Sequence, residues 1–316
     1  METVQVLIEI FPQQLANGLT IGAVYALIAL GYTMVYGVLQ LINFPHGDLF
    51  MLGGMLAVFS LLAAGLTSPL PSAQLVLVLL ALIVLSMFVV GALGVTIERL
   101  AYKPLRKANR LAPLISALGV SLFLQNGTMN VVGPAPKIVP GIFPTVQIPF
   151  VGIAVSSKQV LVLVVAASLM VWLHYLVNYT RFGLAVRATA EDKDAASLMG
   201  IQIDRLISMV FFIGPALGAA AGILFAMLYD VVLWNMGFLA GIKGFTAAVL
   251  GGIGNIRGAM LGGVILGLIE TLGAGYLPII TNNVIGPEYK DIFAFLILIT
   301  VLVFRPTGIL GERVAR

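Results

Sequence analysis

Long apolar runs separated by short polar islands make up most of this chain. Runs of about 20 residues, the length needed to cross a bilayer as a helix, fall at 15–39, 48–66, 73–97, 111–132, 159–177 and 206–229. Beyond Asp230 the apolar stretches are shorter and cut by glycine, at 240–254, 258–276 and 289–304. The pattern predicts an all-α polytopic membrane protein of about nine crossings, eight to ten, in which the Gly-broken pieces could be half-helices or re-entrant segments. The whole of 1–316 reads as a single transmembrane domain. No Gly-x-x-x-x-Gly-Lys-Ser/Thr phosphate loop occurs in it.

One island stands apart. Arg187 to Arg205 is densely charged, and it separates two long apolar runs. Thr189-Ala190-Glu191-Asp192 has the Ser/Thr-x-x-Asp/Glu form of a helix start, and Gly200 is a ready helix stop. The residues read either as one short amphipathic helix over about 188–200, held in water between two spans with its acidic residues in the first turn where the dipole favours them, or as a solvated loop with a helical turn. Leu198 and Met199 leave apolar surface for a partner.

Composition agrees with the patterning: 60% of the residues are hydrophobic and 9% charged, against roughly 25% charged in a soluble domain. The chain has no cysteine, which excludes disulfides and thiolate metal sites. Its two histidines, His46 and His174, are too far apart in sequence to suggest a metal cluster, and no metal is expected. Glu2 and Glu9 stand where a signal peptide would need positive charge, so no cleavable signal is expected there. Basic residues are unevenly placed. Arg99, Lys103, Arg106, Lys107 and Arg110 follow the third span. Arg181, Arg187, Lys193 and Arg205 lie around the island, Arg257 lies in a later loop, and Arg305, Arg313 and Arg316 follow the last span. Lys137, Lys158 and Lys290 fall on the other side, and Lys243 begins a span. The positive-inside rule then places the island and the C-terminus in the cytoplasm and the N-terminus outside. The basic residues flank spans, so nucleic acid is not an expected partner. The long outer loop, about 133–158, is proline-rich and reads as extended or turn structure.

Few polar residues interrupt the spans. Asn43, Pro45, His46 and Gly47 break the pattern between the first two, which reads as either a gate on a polar path or a tight turn near the membrane surface. Tyr25, Tyr32 and Tyr36 share one helix face, and Gly18 with Gly22 suits close helix packing. In the fourth span Ser121, Gln125, Asn126 and Asn130 form a stripe that could be interhelical glue or the lining of a solute route. Glu270 is the one carboxylate well inside an expected span; such residues point to function, although its place toward one end of 258–276 also fits a paired or interfacial residue. Gly251–Gly263 forms a second interrupted region. Paired interruptions mark substrate routes in secondary transporters.

Together these residues resemble the LivH-type permeases of branched-chain (hydrophobic) amino-acid ABC importers. The resemblance runs through Asn17-Gly-Leu, Gly31-Tyr-Thr-Met-Val-Tyr-Gly37, Ile42-Asn-Phe-Pro-His-Gly47 and Leu122-Phe-Leu-Gln-Asn126. It continues in Arg187-Ala-Thr-Ala-Glu-Asp192, Ala196-Ser-Leu-Met-Gly200, Phe245 to Gly254, Glu288-Tyr-Lys-Asp291 and Arg305-Pro-Thr-Gly-Ile-Leu-Gly311. Pro45 stands where Ala is common, and Arg257 where Pro is often found. The resemblance implies a permease in a bacterial-type inner membrane, not an enzyme, that takes up a branched-chain or neutral amino acid. It also implies two separate ATP-binding subunits that carry ATP and Mg, with no cofactor on this chain. A second, LivM-like permease (or a second copy of this one) and an external binding protein would complete the assembly. Related permeases carry urea or small amides, and a stand-alone facilitator is the reading from another class. Ala190, Glu191, Asp192 and Gly200 match the family's ATPase-coupling helix. Asn43, Pro45, His46, Gly47, Gln125, Asn126 and Glu270 are the candidates for the translocation path and gate.

Overall fold

The computed structural model describes residues 2–106, 108–109, 111–150, 153–305 and 307–311. Lys107, Arg110, Arg313 and Arg316 of the charge argument, Pro306 of the last motif, and Val151 and Gly152 of the outer loop lie outside them. Eleven α-helices are described: α1 Glu2–Leu39, α2 His46–Ala63, α3 Ser72–Ile97, α4 Leu111–Val132, α5 Ser157–Tyr179, α6 Arg181–Glu191, α7 Lys193–Leu198, α8 Ile203–Tyr229, α9 Met236–Gly251, α10 Ile256–Ile280 and α11 Lys290–Phe304. Seven of the described helices are long and apolar enough to cross a membrane. α9 and α11, at 16 and 15 residues, fall short of the roughly 20 residues a perpendicular crossing needs.

Why α1 is central follows from its composition. Ala23 to Leu30 are buried on every side of the helix, as expected of a segment that is apolar all round. Lipid tails are as apolar as leucine, so burial gives helices little drive to associate, and close backbone packing takes its place. A Cβ on Gly22 would lie 2.8 Å from the Val264 Cα of α10, so the Gly18/Gly22 pair works as close-packing surface. α10 runs antiparallel to α1, with Gly263 against Ala26 and Gly275 against Gln14. α8, rich in buried Gly and Ala from Gly214 to Gly222, packs against α1, α2 and α3. α3, α4, α5 and α11 form the outer shell, with Phe88, Phe123, Val171 and Phe304 exposed as lipid-facing side chains would be.

Two helices do not start where their neighbours do. α1 runs on about 16 Å beyond Ile28 before it ends at Leu39, yet His46, the first residue of α2, sits back beside the Ile28 carbonyl. The connection turns at Gln40, which has φ 55°, and climbs back alongside α1. The break between the first two spans is therefore buried at depth, and the reading of a turn near the membrane surface is corrected. α9 begins beside it. A Cβ on Gly237 would lie 2.9 Å from the Asp48 Cα, and one on Gly241 3.0 Å from the Gly47 Cα. Glycine at these positions lets the two helix starts touch backbone to backbone.

The starts of α8 and α10 lie at the end of the bundle where α1 finishes. Arg99, Lys103, Arg106 and Arg257 gather there, whereas Lys137 and Lys158 sit at the opposite end. At that opposite end Lys158 pairs with Asp230 at 2.6 Å, and Gln159 donates to Asn17 at 2.7 Å. The proline-rich loop carries short strands: Lys137–Ile138 pairs with Val231–Val232, and Gln147–Phe150 forms a hairpin with Ile153–Ser156. A capping box of Ser156 and Gln159 starts α5.

The charged island is not one helix. Thr180 caps α6, which runs through Thr189 to Glu191, and the helix breaks at Asp192. The Asp192 carboxylate then caps α7, accepting from the Asp194 and Ala195 amides at 2.8 and 3.0 Å. Thr189 is buried within α6 and begins nothing. Gly200, with φ 88°, follows the end of α7 as expected of a C-terminal stop.

Candidate functional site

At the start of α2, buried polar groups converge on the α1–α2 break. His46 is fully buried. Its Nε2 lies 3.1 Å from the Ile28 carbonyl, and its ring meets the edge of Tyr32 with centroids 4.6 Å apart. Asn43, also buried, accepts a bond from the Tyr102 hydroxyl at 2.9 Å. Tyr102 belongs to a wide helical turn, Glu98–Tyr102, that continues α3. Pro45 precedes α2, and Gly47 lies against α9. One further residue joins them: Asp48 is buried and accepts from Ser121 of α4 at 2.5 Å, while Gln125 donates to that same Ser121 at 3.2 Å. The Ser121/Gln125 pair thus links α4 to α2. Asn126 does not join it; it is exposed and donates to the Leu122 carbonyl of its own helix at 2.8 Å. Thr33 Oγ1, Asn43 Nδ2, His46 Nδ1 and Asp48 Oδ1 are buried with no hydrogen-bond partner among the described residues. Unpaired polar atoms at such depth are costly.

A second group surrounds Glu270. Lys243 lies midway along α9, not at the start of a span. It reaches Glu270 of α10 and Asp291 of α11, both at 2.8 Å. Tyr25 of α1 donates to the other Glu270 oxygen at 2.9 Å, and Lys290 approaches Glu270 at 3.2 Å. Two cations and two carboxylates, from three helices, thus balance in charge. Lys243 and Glu270 are both buried. Beside them opens a half-enclosed cavity of ≈ 550 Å³ whose polar lining includes Tyr25, Gln125 and Lys243, with apolar wall from Phe225, Leu233 and Leu239.

Glu270 is not the one buried carboxylate of the spans. Asp48 and Glu98 are as deeply buried. Asp48 opens the apolar run 48–66 and Glu98 directly follows the run 73–97, so neither stands well inside a run. Lys243 could have been found from sequence, as a lysine flanked on both sides by apolar residues and glycine.

The third group lies at the end of the bundle where α1 finishes. Arg106 bonds both Glu98 and Asp204, the latter at 2.7 Å, and Ser208 donates to Glu98 at 2.8 Å. These contacts tie the end of α3 to the start of α8, directly after α7. Lys193 of α7 is close enough that the Arg106 charge adds to desolvation, the larger cause, in lowering its pKa. Leu198 and Met199 are exposed, at 89% and 84%. Ala190 and Glu191 close α6, and Asp192 forms the joint.

A glycine-packed helical bundle with two helices starting at depth and a charged helical joint at one end defines a multi-pass membrane protein. The chain also matches the family model described as branched-chain amino acid transport system / permease component, over residues 14–302. It belongs to that family. It is 47% identical over 304 residues to the high-affinity branched-chain amino acid transport system permease protein BraD of Pseudomonas aeruginosa, which covers 95% of each chain. It is 43% identical to the LivH permease protein of Salmonella typhimurium, over 96% of each. It is 31% identical to a probable branched-chain amino acid transport permease protein LivH of Methanocaldococcus jannaschii, over 90% of this chain and 88% of that one. No solved structure matches.

Proposed function

We propose that this chain is the membrane-spanning subunit of an ATP-driven importer for branched-chain or neutral amino acids in a bacterial-type inner membrane. Near-complete coverage by permeases named for that substrate class supports the reading most directly. ATP is hydrolysed on two separate subunits, and an external binding protein delivers the solute. A second permease, LivM-like or a second copy of this chain, completes the pore.

In this reading the joint α6–α7 receives the ATPase. Its exposed Leu198 and Met199 supply apolar contact, and Glu191 and Asp192 supply charge. Closure of the two nucleotide-bound subunits would push on α7 and, through Asp204 and Arg106, on the ends of α8 and α3. Alternating access then follows from different affinities of the two states for nucleotide and for loaded binding protein. Asn43, Pro45, His46 and Gly47, at the buried start of α2, fit a gate that such a push could move.

The test is uptake by proteoliposomes containing the full assembly, with and without ATP, using leucine, alanine and urea as competing solutes. ATP-dependent leucine uptake is the expected result. Uptake that persists down a gradient without nucleotide would make the chain a facilitator, and urea outcompeting leucine would change the substrate class.

A further inference from the structure

We infer that the half-open cavity between α1, α8 and α9 holds the solute during passage, with the solute carboxylate taken by Lys243. This rests on the amino-acid reading above and assigns it a place and a cation. An ammonium has three N–H donors. Lys243 donates one to Glu270 at 2.8 Å, while Asp291 lies 2.8 Å away as a charge partner whose Oδ1 accepts no hydrogen bond among the described residues. Its other hydrogen bond goes to the Tyr25 oxygen, at 3.3 Å, and is the weaker of the two. An incoming carboxylate competes for that donor without displacing either acidic partner.

The surroundings favour a zwitterion. A lone charge entering an apolar interior is strongly penalised, and an overall neutral solute that exchanges partners inside a neutral network is penalised less. Lys243, Lys290, Glu270 and Asp291 form such a network. The cavity lining also carries Phe225, Leu233 and Leu239, an apolar surface for a branched side chain. Its aromatic faces also attract an ammonium group. At ≈ 550 Å³ the cavity has room for a small amino acid.

The absence of cysteine from the chain permits a direct test. Leu239→Cys places this chain's single thiol in the cavity wall. In the full reconstituted importer, leucine at about ten times its Kd should slow modification of that thiol by a small maleimide about tenfold. Leucinamide, which keeps the side chain and lacks the carboxylate, should protect far less. Adding Lys243→Met should remove the protection, and Lys243→Arg should restore part of it. The leucine–leucinamide comparison leaves Lys243 unchanged, so it stands even where Lys243→Met does not fold. Labelling indifferent to leucine, in a Leu239→Cys importer that still takes leucine up, overturns the cavity assignment and leaves the substrate reading intact. Equal protection by leucinamide overturns the role of Lys243. A wild-type importer that takes up no leucine overturns both.

Discussion

The Tyr102 hydroxyl donates to the Oδ1 of Asn43 across 2.9 Å, joining residues 59 positions apart that are both almost wholly buried. Tyr102 belongs to the wide turn that ends the α3 segment, and Asn43 to the climbing connection that starts α2. The contact is a direct tie between the basic end of the bundle and the buried α1–α2 break. Tyr102→Phe should strand the Asn43 oxygen in an apolar interior, at a cost of about 1–3 kcal/mol. The check is thermal unfolding of the purified protein in detergent, where a clear fall in midpoint is expected. An unchanged midpoint would mean that the bond carries no stability.

Lys243 and Glu270 form a buried ion pair, and substitutions separate its structural part from the transport role proposed for it. Glu270→Leu leaves Lys243 short of a partner at depth and should cost about 3–5 kcal/mol. The double variant Lys243→Met with Glu270→Met removes both charges and should recover much of that loss. Leucine uptake should stay low in the double variant even where folding returns. Unfolding midpoints and uptake, measured on both variants, decide the matter. Uptake that recovers in step with stability would reduce the pair to a packing element.

Asp192 is the joint of the charged island, and the chemistry of its cap is specific. Asparagine also caps helices well, whereas alanine does not, with a cost of about 1 kcal/mol. Asp192→Asn should therefore keep α7 in place while removing a charge, and Asp192→Ala should loosen it. In the assembled importer the ratio of solute imported to ATP hydrolysed should fall more for Asp192→Ala than for Asp192→Asn. Equal ratios would mean that the geometry of α7 does not matter to coupling.

Gly22 sets the spacing of the two helices at the centre of the bundle. Gly22→Leu would drive a side chain into the Val264 backbone, whose Cα a bare Cβ would already approach to 2.8 Å. Overpacking of this kind costs about 1–3 kcal/mol or more. Size-exclusion profiles and membrane yield should show loss of folded protein. A normal profile would mean that α1 and α10 can separate freely.

Much of this architecture is legible in the chain itself. The helices follow directly from the length of the apolar runs, since no other structure satisfies the backbone in lipid. The polar island and its stop at Gly200 were equally clear. Its internal break was not, because Thr189 and Asp192 both carry cap chemistry, and only the packing of α6 decided that Thr189 is buried while Asp192 turns outward to hold α7. Asn126 looked like part of a polar stripe, since spacing of four residues places side chains on one helix stripe without saying which neighbour that stripe meets.

The residues by themselves determined the class of molecule, the position of nearly every helix, the asymmetry of charge between the two ends and the resemblance to amino-acid permeases, all of them consequences of local hydrophobicity and short motifs. Tertiary structure alone decided that α2 and α9 start side by side at depth, that Tyr102 meets Asn43, and that Lys243 finds Glu270 and Asp291. Those meetings depend on the direction in which each helix crosses and on how closely glycines let backbones approach. Such properties belong to pairs of distant segments, and no local pattern in the chain encodes them.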